Sequence, residues 1–273
     1  MASKDVEKTP RETADPTYTE DQKTAYFQEL ATGTLSAFRL HKEHELFDRD
    51  EKGEKGWRNV SEHCLAELAR ADVLADWLRF PEDVERDLKL AAAVHDFRKK
   101  KEILERRADP SWDAATVSVN KTAETLLMSP LNRNVIQIAE APGSRGVLLA
   151  EKMLSEGNLT EPEIAYLVMH YLDDITSDSD WVNPAGTDEQ GNAINDLDRR
   201  LLKLLANPKY AQEIEEGRKH LGGRNIVEAM LECGNKVEEL LERLVRERSG
   251  IEVEHKRLPE MIDQEIKERI ASM

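Results

Sequence analysis

Apolar residues recur along this chain every three or four positions, the spacing of one helical face, and no alternating run is long enough to build a sheet. The clearest stripe, Val60, Cys64, Leu68, Ala71, Ala75 and Leu78, predicts a helix over about 61–78. After Pro81, the residues Val84, Leu88, Ala91 and His95 fall in phase, which turns His95 inward with the apolar side chains. Helical patterning also spans about 20–46, 113–128 and 132–140. Thr160-Glu161-Pro162-Glu163 reads as a capping box with an early-turn proline, and opens a helix that carries Ile164, Leu167, Val168 and Tyr171 and ends at Asp173-Asp174. Near the C-terminus a stripe at Ile226, Met230, Cys233, Val237, Leu240 and Leu244 is followed by a break at Ser249-Gly250, then by Ile262, Ile266 and Ile270 four apart. The expected fold class is all-α, a helical bundle with additional C-terminal helices.

Residues 1–18 are polar, contain Pro10 and Pro16, and have too little apolar surface to offset their ordering entropy, so a disordered tail is expected there. A chain of 273 residues suits one main core, placed at 19–210, with a helical extension at 211–273 whose stripes must pack on that core or on a second copy of the chain. The polar stretch 176–196, with Pro184, Gly186 and Gly191, is long for a connection.

With 39 basic and 55 acidic residues the net charge is −16, which disfavours duplex nucleic acid as a partner. A small phosphorylated ligand is still compatible, because a metal ion and a few bases can reverse the potential inside a pocket. Cys64 and Cys233 are far apart, so neither a disulfide framework nor a thiolate metal site is encoded, and a reducing cytoplasm fits. No segment has the apolar length of a membrane span, and the charged start Met1-Ala2-Ser3-Lys4-Asp5 is unlike a signal peptide.

The chemistry concentrates in three segments. His95-Asp96 offers imidazole and carboxylate side by side; adjacent helical residues point about 100° apart, so one ion can take both only with help from elsewhere. Upstream, His63 sits beside the apolar stripe, and downstream His170, Asp173 and Asp174 close another helix. Taken singly, each such histidine reads as a hydrogen-bonded core residue. Three segments in this order favour a metal site. His41 and His44, set among charged neighbours, read instead as a solvated helix face.

The order His, His-Asp, distant Asp resembles the HD-domain superfamily of metal-dependent phosphohydrolases over about residues 55–180. Val60-Ser61-Glu62-His63 is similar to that family's Val-x-Glu-His segment, and His95-Asp96-Phe97-Arg98-Lys99 to its His-Asp-Ile-Gly-Lys element, with Phe97 and Arg98 departing from it. Leu172-Asp173-Asp174-Ile175 resembles its Ala-Asp-x-Leu ending, with Asp174 the alternate to Asp173. The resemblance implies that His63, His95, Asp96 and Asp173 hold one divalent ion (Mn, Co, Mg, Ni, Zn or Fe). Because His170 alone lies between the doublet and the last Asp, a single-ion site is expected, with His170 as a supporting donor or a pocket residue.

The same resemblance assigns Lys99, one turn after His95 if the helix continues, to clamp a phosphate, Asp96 to orient or deprotonate water, and Glu62 to support His63. Arg145 is a weaker phosphate candidate, and Trp57 and Arg58 could floor a base or sugar pocket. The expected function is hydrolysis of a small phosphorylated metabolite of the nucleotide kind, with a possible homo-oligomer through the C-terminal helices. One alternative is a degenerate module that binds a nucleotide or protein partner without turnover. Another is iron-dependent oxygenation, which the scarcity of histidines disfavours.

Overall fold

A computed structural model describes residues 16–48, 56–109, 131–142, 144–177, 180–208 and 211–273. The expected tail as far as residue 15, the expected helix over 113–128 and the Arg145 side chain lie outside the described residues. Tyr18, at the end of the expected tail, rests on the core.

The fold is all-α, with one minimal ribbon among the described residues. Helix α1 (Glu20–Gly33) begins on a reciprocal capping box between Thr19 and Gln22. The single helix expected over 20–46 is divided at Thr34, whose φ of −124° leaves the helical region, and α2 (Leu35–Glu43) starts anew. The long helix α3 (Arg58–Trp77) buries the whole stripe from Val60 to Leu78. Pro81 interrupts the chain and α4 (Glu82–Val94) returns against α3, with three acidic residues in its first turn, where the helix dipole favours them.

Helix α4 ends earlier than the charge pattern suggests. Residues 95–98 form a turn, and α5 (Lys99–Ala108) is a separate helix. Helices α6 (Arg133–Ala139) and α7 (Ser144–Glu156) lead to α8 (Glu161–Ile175), whose expected capping box between Thr160 and Glu163 is present. From Ile164 to Leu172 every residue of α8 is buried, so this helix is enclosed on all sides, by α3, α4, α6, α7 and two later helices. Gly146 lets the start of α7 fold back on the end of the preceding connection, since a Cβ there would lie 1.6 Å from the Ala141 carbonyl oxygen.

The long polar connection folds into a two-stranded antiparallel ribbon, β1 (Gly186–Thr187) on β2 (Ala193–Ile194). Asn195 then caps α9 (Asp196–Ala206), which is followed by α10 (Ala211–His220), α11 (Ile226–Ser249) and α12 (Leu258–Ala271). Helix α11 ends at Gly250, where φ is +74°. Its most buried line is Cys233, Val237, Leu241 and Val245; the last two lie one position on from the expected Leu240 and Leu244, which are half-buried. Helix α11 packs on α3, α7, α8 and α9, and α12 on α1 and α3, through Ile262, Ile266 and Ile270. The C-terminal helices thus belong to the same core.

Candidate metal centre

Helix α3 presents His63 and Glu67 four residues apart on one face, the turn after α4 presents His95, and the last turn of α8 presents Asp173. One ligand atom from each of these four residues lies within 4.8 Å of the others. His63 Nε2 is 3.0 Å from Glu67 Oε1 and 3.4 Å from Asp173 Oδ1. His95 Nε2 is 3.7 Å from the same Asp173 oxygen, and the two imidazole rings meet edge to face at 5.3 Å.

His95 is oriented by its other nitrogen. Nδ1 lies 3.0 Å from the Ala92 carbonyl oxygen and 3.2 Å from Glu67 Oε2. Since a carbonyl can only accept, Nδ1 carries the hydrogen and donates it, which turns the Nε2 lone pair toward Asp173. Among the described residues that buried nitrogen has no hydrogen-bond partner, and the buried Glu67 oxygens face only the ring nitrogens of His63, at 3.0 Å, and His95, at 3.2 Å. A buried carboxylate and lone pair are costly unless a positive charge lies beside them, and a cation between them would satisfy them together. Mixed imidazole and carboxylate donors suit a divalent transition ion or a harder cation with open positions left over.

Burial works against the charged form of His63, but Glu67 and Asp173 outweigh it and hold the imidazole up to about 10. Burial likewise opposes ionisation of Asp173, yet His63, Arg200 and His95 keep it far below the usual carboxylate range. Arg200 of α9 donates to the backbone oxygens of Asp173 and Thr176 and so ties down the end of α8. Burial pushes the Cys64 thiol well up, leaving a neutral group 3.8 Å from His95 Nδ1.

The structure brings together three of the four expected ligands: His63, His95 and Asp173. Asp96 lies outside the group of four; its carboxylate is 3.4 Å from the Lys99 ammonium. Burial disfavours its charge, but Lys99, His95 and His63 keep it ionised. Lys99 is reached across the turn, not along a continuing helix, and its ammonium is raised by Asp96. Asp173 turns to the cluster, whereas Asp174 faces His170 with 3.8 Å between oxygen and nitrogen. Burial and the neighbouring Asp173 push Asp174 well above the usual range.

His170 is fully buried, with Nδ1 on the Ala141 carbonyl at 3.2 Å, so it supports the packing of α8. Glu62 meets Arg58 at 3.2 Å; the carboxylate beside His63 is that of Glu67. Sequence reading missed Glu67, although His63-x-x-x-Glu67 has the spacing of one helical face, and missed Arg200, for which no local pattern exists. His41 is another departure, since it is buried and bonded on both nitrogens, to Ser61 at 2.9 Å and to the Ala93 carbonyl at 2.7 Å.

Access to the cluster is one-sided. The His95 side chain is 1% exposed and Glu67 0%, but Asp173 is 19%, Asp96 23% and Lys99 44% exposed. No family model matches the chain, and neither a curated protein nor a solved structure does. Among the described residues no helix is long and apolar enough to cross a membrane.

Proposed function

We propose that this chain is a metal-dependent phosphohydrolase of the HD type, with a small phosphorylated metabolite of the nucleotide kind as substrate. The observation that carries this reading is the cluster itself, three buried side chains and the half-buried Asp173, from three segments, with a buried His95 Nε2 that has no hydrogen-bond partner among the described residues. The order His63, His95-Asp96, Asp173 supports the HD assignment. A divalent ion held there supplies a Lewis acid for a phosphate oxygen and a more acidic water.

The chain's own residues divide the remaining work by exposure. His63, His95, Glu67 and Asp173 hold and enclose the cation from the protein side. Asp96, kept ionised at the open edge, accepts the proton that a water loses as its oxygen bonds to phosphorus. The P–O ester bond breaks on the opposite side, and the leaving oxygen takes up a proton. Lys99, beside Asp96, offsets the charge of the phosphoryl group as a point cation.

A screen of nucleotides and small phosphate esters against the full chain with added Mn2+, Co2+ or Mg2+ tests this reading. Phosphate release is expected in wild type and not in His95→Ala. Nucleotide binding with no release from any ester would instead favour a binding module without turnover.

A further inference from the structure

The turn at 95–98 sets the start of α5 at the exposed edge of the metal centre, where the ammonium of Lys99, the first residue of the helix, lies 3.4 Å from Asp96 Oδ1. Glu102 follows three residues later, so it shares that face of α5 with Lys99, and it is half-buried there. Among the described residues, the charged groups that face its carboxyl are Lys99, Asp96, Arg98 and Glu105. Arg98 is itself buried, with its guanidinium 3.6 Å from Glu105. The Lys99 ammonium is thus within electrostatic reach of two carboxyl groups, Asp96 beside the cluster and Glu102 one turn along the helix.

These two carboxyl groups are held in opposite states. Against burial, Lys99, His95 and His63 keep Asp96 ionised. Burial pushes Glu102 up, with Asp96 and Glu105 adding to the rise and Lys99 and Arg98 opposing it. Carboxyls driven apart in this way divide the tasks of base and acid between them. Hydrolysis of an alkyl phosphate needs both, because an alkoxide is too basic to depart without a proton. Asp96 has no proton to give, and Lys99 holds its own, since Asp96 raises the ammonium. Of the three groups on this edge, Glu102 is left as the donor.

We propose that Glu102 is a catalytic residue, the general acid that protonates the oxygen leaving phosphorus; this role rests on the hydrolase reading. As the water oxygen bonds to phosphorus and its proton passes to Asp96, the P–O ester bond breaks and its electron pair stays on the leaving oxygen. The Glu102 proton moves to that oxygen, giving an alcohol and inorganic phosphate. Exchange with solvent then removes the proton from Asp96 and restores the one on Glu102.

Leaving-group dependence in the full metal-loaded chain tests it. Glu102→Gln keeps the shape of the side chain without its acidic proton, so it should retain bound metal and helical content yet release phosphate from a nucleoside monophosphate about 10²-fold more slowly. From the same nucleotide with sulfur as the bridging atom, whose thiolate leaves without a proton, release should be nearly unchanged, a contrast that a merely structural role does not produce. In wild type, release from the oxygen ester should fall as pH rises and Glu102 loses its proton, a limb missing with the sulfur ester and in Glu102→Gln. Glu102→Asp, which withdraws the carboxyl by one methylene, should show the same contrast to a smaller degree, and serves if Glu102→Gln fails to fold. Independently of turnover, NMR titration of the metal-free chain with labelled glutamate carboxyl carbons should show one signal, absent from Glu102→Gln, that titrates above the ordinary glutamate range. Release from no ester in wild type would remove the hydrolase reading and this role with it. Where wild type turns over, equal losses on the oxygen and sulfur esters, or no loss on either, overturn the Glu102 assignment alone, as does a Glu102 signal within the ordinary range.

Discussion

At the candidate metal centre Glu67 is fully buried beside two imidazoles, Asp173 is half-buried, and the half-buried charges Asp96 and Lys99 sit at the rim. This separation of a holding interior from a reacting edge gives two residue-level expectations. Lys99→Ala should lower phosphate release on the order of 10²-fold, comparable to losing one preorganised charge-stabilising contact, with bound metal unchanged by elemental analysis. Lys101→Ala should change little, since Lys101 lies about 200° around α5 from Lys99 and is exposed. Similar losses in both variants would remove Lys99 from the site. His95 was legible in the sequence because it falls in phase with an apolar stripe, and His63 and Asp173 through the resemblance of their segments to the HD pattern. Glu67 was not, because glutamate is common on helices and only the three-dimensional approach of α4 and α8 shows it to be buried.

At the scale of elements, the end of α8 is anchored from two directions. Arg70 of α3, itself buried, binds Asp263 of α12 at 2.8 Å and Thr176 at 2.7 Å, while Arg200 holds the Asp173 and Thr176 carbonyls. Asp263→Ala leaves a buried guanidinium without its anion, so a loss of about 3–5 kcal/mol is expected in denaturant unfolding, with metal affinity reduced as Asp173 loosens. Full stability in that variant would show the pair to be dispensable.

A second buried network joins α8, α9 and α11. Glu238 Oε1 accepts from Asn195, at 2.6 Å, and from Tyr171, at 3.1 Å, and Oε2 lies 3.4 Å from the Lys256 ammonium. Burial outweighs that ammonium and pushes the Glu238 carboxyl up to about 7. A carboxyl raised on folding stabilises the protonated native state below its unfolded value, and that contribution disappears as pH rises through the folded one. Between about pH 5 and pH 8, wild type should therefore lose stability relative to Glu238→Gln, on the order of a few kcal/mol. Parallel pH curves for the two proteins would contradict this. Helix existence was legible from periodicity, whereas boundaries such as Thr34 and the turn at 95–98 were not, because the apolar spacing runs on past Gly33-Thr34 and the charged residues after the turn obey helical spacing equally well.

For the whole molecule, the all-α class followed from the absence of alternation and the persistence of apolar stripes. The relation of the last third to the rest did not, since a stripe shows that a face is covered without showing by what. In the fold α11 and α12 cover α1, α3, α7, α8 and α9. Truncation before Asn225 should therefore expose their apolar contacts and yield an aggregating or markedly less stable chain; a soluble truncated form with the same melting temperature would make these helices an appendage.

The central claim, that the cluster is a metal centre, is tested most directly by elemental analysis of the full chain after loading with a divalent ion and removal of excess. Wild type should retain about one ion per chain, and His95→Ala and Glu67→Ala should lose most of it while keeping their helical content. Metal-free wild type, or unchanged stoichiometry in both variants, would contradict the account.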